Sequence, residues 1–246
     1  MGFLTRRSAP SPLPALVLGM TALVISISFG ATAYAGVVTT GSVLKTTKAA
    51  IAQQSGVQVA ISASSGSTST TDQIIADVGT TSGAETIIEG KADLAVRVTP
   101  TDGYISGNVS GLTKIFGLSS ADAKKVGIDW VSWKTGTSEY SDLKSGLTIS
   151  AITALLPKAK GTKLSMDFTN GTELYVLKWN TAATSSRPKL SITLTVSAVG
   201  TALPVEQTVT ASGGTEETTT LSMWGEHVLV RAPPVGSTIA SSKITG

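Results

Sequence analysis

Ala92–Asn108 reads ADLAVRVTPTDGYISGN. Leu94, Val96 and Val98 fall on one side of an extended chain, and Asp93, Ala95 and Arg97 on the other, because successive strand side chains point in opposite directions. Asp102-Gly103 is a tight-turn dipeptide, and Tyr104–Gly107 begins another strand. A strand with one apolar face belongs to a sheet that is buried on one side, the usual state of antiparallel sheet.

The same pattern extends toward the N-terminus. Val57, Val59 and Ile61 alternate with Gln58, Ala60 and Ser62. Ser64–Thr71 reads as a polar turn. Asp72–Gly79 and Glu85–Glu89 read as strands, joined by a turn over Thr80–Gly83. Ahead of them, Val43–Gln54 reads as a helix. Its Val43, Leu44, Ala50 and Ile51 share a face with Thr47, and Ser55-Gly56 ends it.

Toward the C-terminus the period changes. Leu112, Ile115, Phe116 and Leu118 give a helical face, and Ser119 or Ser120 can cap a second helical stretch over Ala121–Val126. Asp129–Lys134 is a strand carrying Trp130 and Trp133. Ser141–Lys158 reads as one helix with Leu147, Ile149, Ile152, Leu155 and Leu156 apolar, closed by Pro157 and Gly161. Strands then follow at Leu164–Phe168, Glu173–Trp179, Lys189–Val196, Ala202–Ala211 and Thr218–Val230. Asn170-Gly171 is the strongest hairpin signal in the chain. Residues 234–246 are polar and small, as in a flexible tail.

Helix, strands, helical insert and strands joined by short turns describe an α+β domain with a largely antiparallel sheet. A sheet of this length curls, and the few helices are the natural cover of its apolar face. Helices laid in such a concavity leave room for an apolar pocket between the layers. There is no internal repeat.

Composition narrows the function. The 246 residues carry 41% hydrophobic and only 14% charged side chains, a balance that supports a core and argues against disorder throughout. A net charge of +3, with Lys and Arg scattered, gives no footprint for nucleic acid. With no Cys there is no disulfide, thiol nucleophile or Cys-based metal site. The one His leaves little for a His-based metal or acid–base site, so no metal and no cofactor are expected.

Residues 1–35 read as a signal peptide or an N-terminal membrane anchor. Arg6 and Arg7 precede an apolar run from Ala15 to about Phe29, and Ala33-Tyr34-Ala35 is an A-x-A cleavage site. Counted generously, Leu13–Tyr34 is long enough to cross a bilayer uncleaved. Either way the remainder is exported, as a secreted, periplasmic or envelope-associated domain over 36–233. No Cys follows the apolar run, so N-terminal lipidation on Cys is excluded.

No catalytic constellation stands out. A Ser-His-Asp hydrolase would need His227, which sits in Trp224–Val230 on an expected last strand; an ordinary strand histidine is the better reading. No G-x-S-x-G elbow, Walker loop or G-x-G-x-x-G is present. Glu216-Glu217 follow the turn Gly213-Gly214-Thr215 and read as a solvated pair rather than a glycosidase dyad. Trp130, Trp133, Trp179 and Trp224 fit a pocket wall and a core equally well.

Four segments carry a family resemblance. Ala92–Asn108 looks like paired strands ending in "Y-v-g". Gly127–Ser132 (GIDWVS) looks like a "g-k-W-v" strand. Thr201–Val205 (TALPV) matches an "LP" step, and Leu221–Pro233 (LSMWGEHVLVRAP) looks like a closing strand of the type "l-s-d-w-g-k-p-v-x-v-x-a-P". In this order they resemble the LppX/LprG family of actinobacterial envelope lipoproteins, whose fold looks like the LolA/LolB carriers. The resemblance implies a half β-barrel whose helices enclose an apolar cavity for acylated lipid. It implies a protein that carries a hydrophobic ligand, an acylated lipid or lipoglycan, without chemistry, here without the lipidated Cys; a monomer is expected. The membrane would be reached through the N-terminal segment if it is uncleaved.

No fixed set of ligand residues comes with that resemblance. Apolar alternation and helix faces point to Val57, Val59, Ile61, Leu94, Val96, Val98, Leu112, Phe116, Leu155, Ile192 and Leu194 as lining, and each fits an ordinary core equally well. The alternative is a structural or interaction module of the envelope with a closed core. An enzyme is a distant third.

Overall fold

Thr39 opens the first helix. Its hydroxyl accepts from the Ser42 amide at 3.1 Å, and the Ser42 hydroxyl accepts from the Thr39 amide at 2.9 Å, a reciprocal cap. In this computed structural model, which describes residues 38–65, 68–184 and 188–244, that helix is α1, Thr40–Ala52. The segment expected to direct export, 1–35, lies outside the described residues.

Five strands follow: β1 (Gly56–Ser65), β2 (Thr68–Gly79), β3 (Gly83–Glu89), β4 (Ala92–Val98) and β5 (Asp102–Gly107). β1 and β2 reach farther toward each other than the expected Ser64–Thr71 turn, with a register shift between Ala63 and Ser65. A π-helical turn (Gly111–Ile115) and α2 (Ser120–Val126) come next, and Ser119 caps α2 by accepting from the Asp122 amide at 3.0 Å. β6 is Trp130–Lys134. The closing series is β7 (Lys163–Thr169), β8 (Thr172–Thr181), β9 (Leu190–Ser197), β10 (Pro204–Ala211) and β11 (Glu216–Ser222). A short β12 (Thr238–Ala240) completes the sheet.

The strands form one open, curved sheet of 12, in the order β12-β6-β5-β4-β3-β2-β1-β11-β10-β9-β8-β7. Every neighbouring pair is antiparallel except β12 with β6. The α+β class, with few helices on a mostly antiparallel sheet, is the architecture expected from the strand pattern.

Three expectations are corrected. The helix over Ser141–Lys158 is two helices, α3 (Ser138–Gly146) and α4 (Ile149–Ala154). They are separated because Thr148 is extended and bridges Gly79 at the end of β2. The last strand does not run to Val230. It stops at Ser222, because Met223 (φ 53°) and Gly225 (φ 87°) take left-handed backbone that a ladder cannot hold. His227 is therefore exposed on irregular chain, not on a strand.

The third correction concerns the tail over 234–246. Its residues 238–240 pair with β6, a 3-10 turn follows over Ser241–Lys243, and Ile244 is buried at 1% exposure. The folded unit thus runs past 233. Between β11 and β12, residues 223–237 cross the outer face of β1 to β6 as a strap. The Ser82 hydroxyl donates to the Val228 carbonyl at 3.1 Å, the Arg97 guanidinium to the Arg231 carbonyl at 3.4 Å, and the Trp130 amide to the Ser237 carbonyl at 2.8 Å.

The other face carries the core. One cluster joins Val57, Val59, Leu94, Val96, Val98, Ile105 and Val131 of the sheet to Ile51, Leu112, Ala123, Leu147 and Ile152 of the helical segments. A second joins Val43 and Leu44 of α1 to Leu177, Leu194, Val196 and Ala202. Tyr140 ties α3 to the β4–β5 turn by donating to the Pro100 carbonyl at 2.9 Å.

Candidate ligand-binding site

Register decides what the inner face presents. Reading across hydrogen-bonded neighbours, one row runs Trp179–Ile192–Val209–Glu217–Ala63–Asp72. The row beside it runs Leu177–Leu194–Gln207–Thr219–Ile61–Ile74–Ile87–Leu94. The helical cover lies over the second row more fully than the first. Leu177, Leu194, Ile74 and Leu94 are buried, whereas Trp179, Ile192, Val209 and Glu217 are half-buried.

A pocket of about 250 Å³ opens where α4 ends above β8 to β10. It is lined by Ala154, Leu155, Leu156, Pro157, Trp179, Ile192 and Gln207. α4 stops at Ala154, and the following residues turn over the sheet. The Gln207 side-chain amide donates to the Leu155 carbonyl at 3.4 Å, which fixes one wall with a single polar contact. Pockets that enclose a drug-sized ligand occupy about 300–1,000 Å³. This one is smaller than that range unless residues 154–157 move away from the sheet.

The sequence-derived lining candidates separate into two groups. Leu155 and Ile192 border this pocket. Val57, Val59, Leu94, Val96, Val98 and Leu112 are buried in the first core cluster, with Ile61 and Phe116 half-buried against it; Leu194 is buried in the second cluster. Sequence reasoning did not place Ala154, Leu156, Pro157 or Gln207 here, and left Trp179 undecided. The period of two along β8 puts Tyr175, Leu177 and Trp179 on one face, a usable signal for Trp179. Gln207 carries none, because a polar residue in a Ser/Thr-rich strand reads as solvated.

Glu217, Glu89 and Asp72 lie on the inner face, where the register also places Glu85 between Ala76 and Val96. Burial raises Glu217 to about 7. Burial, then the nearby Asp72 carboxylate, raise Glu89, while Lys114 of the π-helical turn draws it down. The Asp72 carboxylate accepts from the Gly90 amide at 3.1 Å.

The outer face has a cavity of its own, about 680 Å³ beneath the strap. Gln58, Asp77, Ala84 and Arg97 of the sheet and Glu226 to Arg231 of the strap are among its lining residues. His227 belongs to this side and Glu217 to the other, so the one imidazole and the raised carboxylate do not meet. The Arg97 guanidinium lies 4.5 Å from the centre of the Trp130 ring. Trp133 is in the core, 5.3 Å from the Phe116 ring, and the Trp224 indole donates to the Pro204 carbonyl at 2.9 Å. Among the described residues no helix is long and apolar enough to cross a membrane, and no three His, Asp or Glu side chains group as for a metal.

The chain matches no protein-family model and no curated protein. Among solved structures it is similar to the lipoprotein LppX of Mycobacterium tuberculosis, with a TM-score of 0.47 and 16% identity over 78% of this chain and 99% of that one. It is similar to LprF of Mycobacterium bovis, with a TM-score of 0.47 and 16% identity over 79% of this chain and 96% of that one. A DUF1329 family protein of Desulfovibrio piger follows, with a TM-score of 0.33 and 8% identity over 78% of this chain and 95% of that one. The structural neighbours thus include the group that the sequence resembles.

Proposed function

We propose that this chain is an exported envelope protein that binds an acylated, hydrophobic ligand on the inner face of its curved sheet and carries it without chemistry. The observation that supports this is the pocket between residues 154–157 and the β8–β10 face, lined by the apolar side chains of Leu155, Leu156, Trp179 and Ile192 with Gln207 as its polar member. Each buried CH₂ of an acyl chain would contribute about 0.8 kcal/mol. A longer chain would enter as the end of α4 lifts, and release would follow the same movement in reverse.

Native mass spectrometry tests this reading. The protein is purified without detergent from an exporting actinobacterial host, and the spectrum is repeated after organic extraction. A discrete added mass that extraction removes, identified as an acylated species, is the expected result. An apo mass, together with no uptake of offered lipid, would overturn the reading.

The alternative is a non-catalytic interaction module. The edge strand β7 favours it: Met166 and Phe168 are exposed there, on a strand whose outer edge pairs with no other strand among the described residues.

A further inference from the structure

Four exposed apolar side chains gather at one end of the molecule. The β7–β8 hairpin and the β9–β10 turn lie side by side, since Leu174 pairs with Ser197 and the Ala198 amide donates to the Glu173 carbonyl at 3.0 Å. Phe168 and Val199 project there with 67% and 62% of their surface exposed, and Met166 is next to them on β7 with 58%. α1 begins at the same end. Its first buried residues, Val43 and Leu44, pack with Val196 and Ala202 beside that turn, and exposed Val38 immediately precedes the helix.

The chain ahead of Val38 says what this end faces. The apolar stretch Leu13–Tyr34 ends four residue steps before Val38. Four extended steps reach at most about 14 Å. With Leu13–Tyr34 in a bilayer, as an anchor or before cleavage, Val38 stays within that distance of the membrane surface. The only end of the domain that such a leash can present is the one where α1 starts, and that end carries the exposed valines, Met166 and Phe168.

We propose that this end, formed by Val38, Met166, Phe168 and Val199, is the face the domain lays on a lipid bilayer, with these side chains in the interface. The proposal rests on the export reading of residues 1–35 and not on the ligand. It puts the inner-face pocket a short way along β8 from the membrane, past Tyr175 and Leu177 to Trp179.

The chain has no Cys, so single cysteines can report position. Full-length V199C and V235C proteins are labelled with bimane and reconstituted into phosphatidylcholine–phosphatidylglycerol vesicles containing lipid spin-labelled near the headgroup. Val235 is fully exposed on the strap and serves as the comparison. The expected result is several-fold stronger quenching at V199C than at V235C. Adding M166S and F168S should reduce it without changing the melting temperature. Equal quenching at the two positions, stronger quenching at V235C, or shielding of the V199C label that does not depend on spin-labelled lipid would overturn the proposal. Extraction of lipid from the same preparation is read separately. Strong V199C quenching with no bound lipid retracts the carrier reading and leaves the membrane face standing.

Discussion

Gly56 on the outer face of β1 is in direct contact with the main chain at Glu226, so closely that a Cβ at Gly56 would overlap the Glu226 carbonyl oxygen and the Val228 side chain. A Cβ on Gly79, its partner across β1–β2, would overlap the Ser82 carbonyl oxygen and press on the Val228 side chain. These two glycines are what let the strap lie against the sheet and deliver residues 238–240 to β6.

G56A should therefore destabilise the protein. The cost is overpacking, of the order of 1–3 kcal/mol, with no left-handed backbone involved. Urea denaturation checks it. An unchanged midpoint would mean that the strap does not press on β1 in solution.

I244A should be costly. Its side chain is buried in the first core cluster, and such truncations cost about 2–5 kcal/mol. A loss well under 1 kcal/mol by chemical denaturation would show that the C-terminal segment contributes little to the fold.

E217Q should change how stability depends on pH. Burial raises the folded carboxyl to about 7 against an ordinary 4.5, so the folded state holds its proton more tightly than the unfolded state. Stability is then fullest below about pH 4.5 and falls as pH rises through 7. Allowing for solvent screening, the loss is on the order of 1–2 kcal/mol by pH 8. The Gln variant should be more stable than the parent at pH 8 and flatter between pH 5 and 8 in thermal melts. Equal slopes for the two proteins would contradict this.

The Asp102 carboxyl works in the opposite sense. Burial pushes it up, but the Lys134 ammonium at 2.7 Å and the Thr101 hydroxyl at 2.8 Å together hold it below 3.8. Its contribution is present above that value and disappears as pH falls through the folded pKa. D102N should remove part of the acid sensitivity below pH 4, read by melts from pH 2 to 5.

L155W should fill the pocket beside Trp179 and Ile192. The expected outcome is several-fold weaker uptake of a fluorescent fatty acid, with the fold intact by circular dichroism. Unchanged uptake would locate the ligand elsewhere.

The strand face of Leu94, Val96 and Val98 was legible at once, because a period of two in an amphipathic strand is local information. So were the cap at Ser119 and the turn at Asn170-Gly171, which is met by positive φ at both residues. The break at Leu147–Thr148 was not, since the apolar spacing continues through it and only the bridge to Gly79 interrupts the helix. Nor was the route of residues 223–237. Their valines and leucines look like a strand, yet Ser222 already pairs near the start of β1, and Met223 and Gly225 turn the chain out of the ladder there.

Neighbouring residues alone carried the class of the fold and the buried face of its amphipathic strands, because both are local patterns. Tertiary structure alone decided which buried face is filled and which is left open. Register brought Leu155 and Ile192, 37 positions apart, to one pocket, and set Glu217 in an apolar row between Val209 and Ala63. Those neighbours are joined by hydrogen-bonded ladders between distant segments, and a local pattern cannot specify which segments pair.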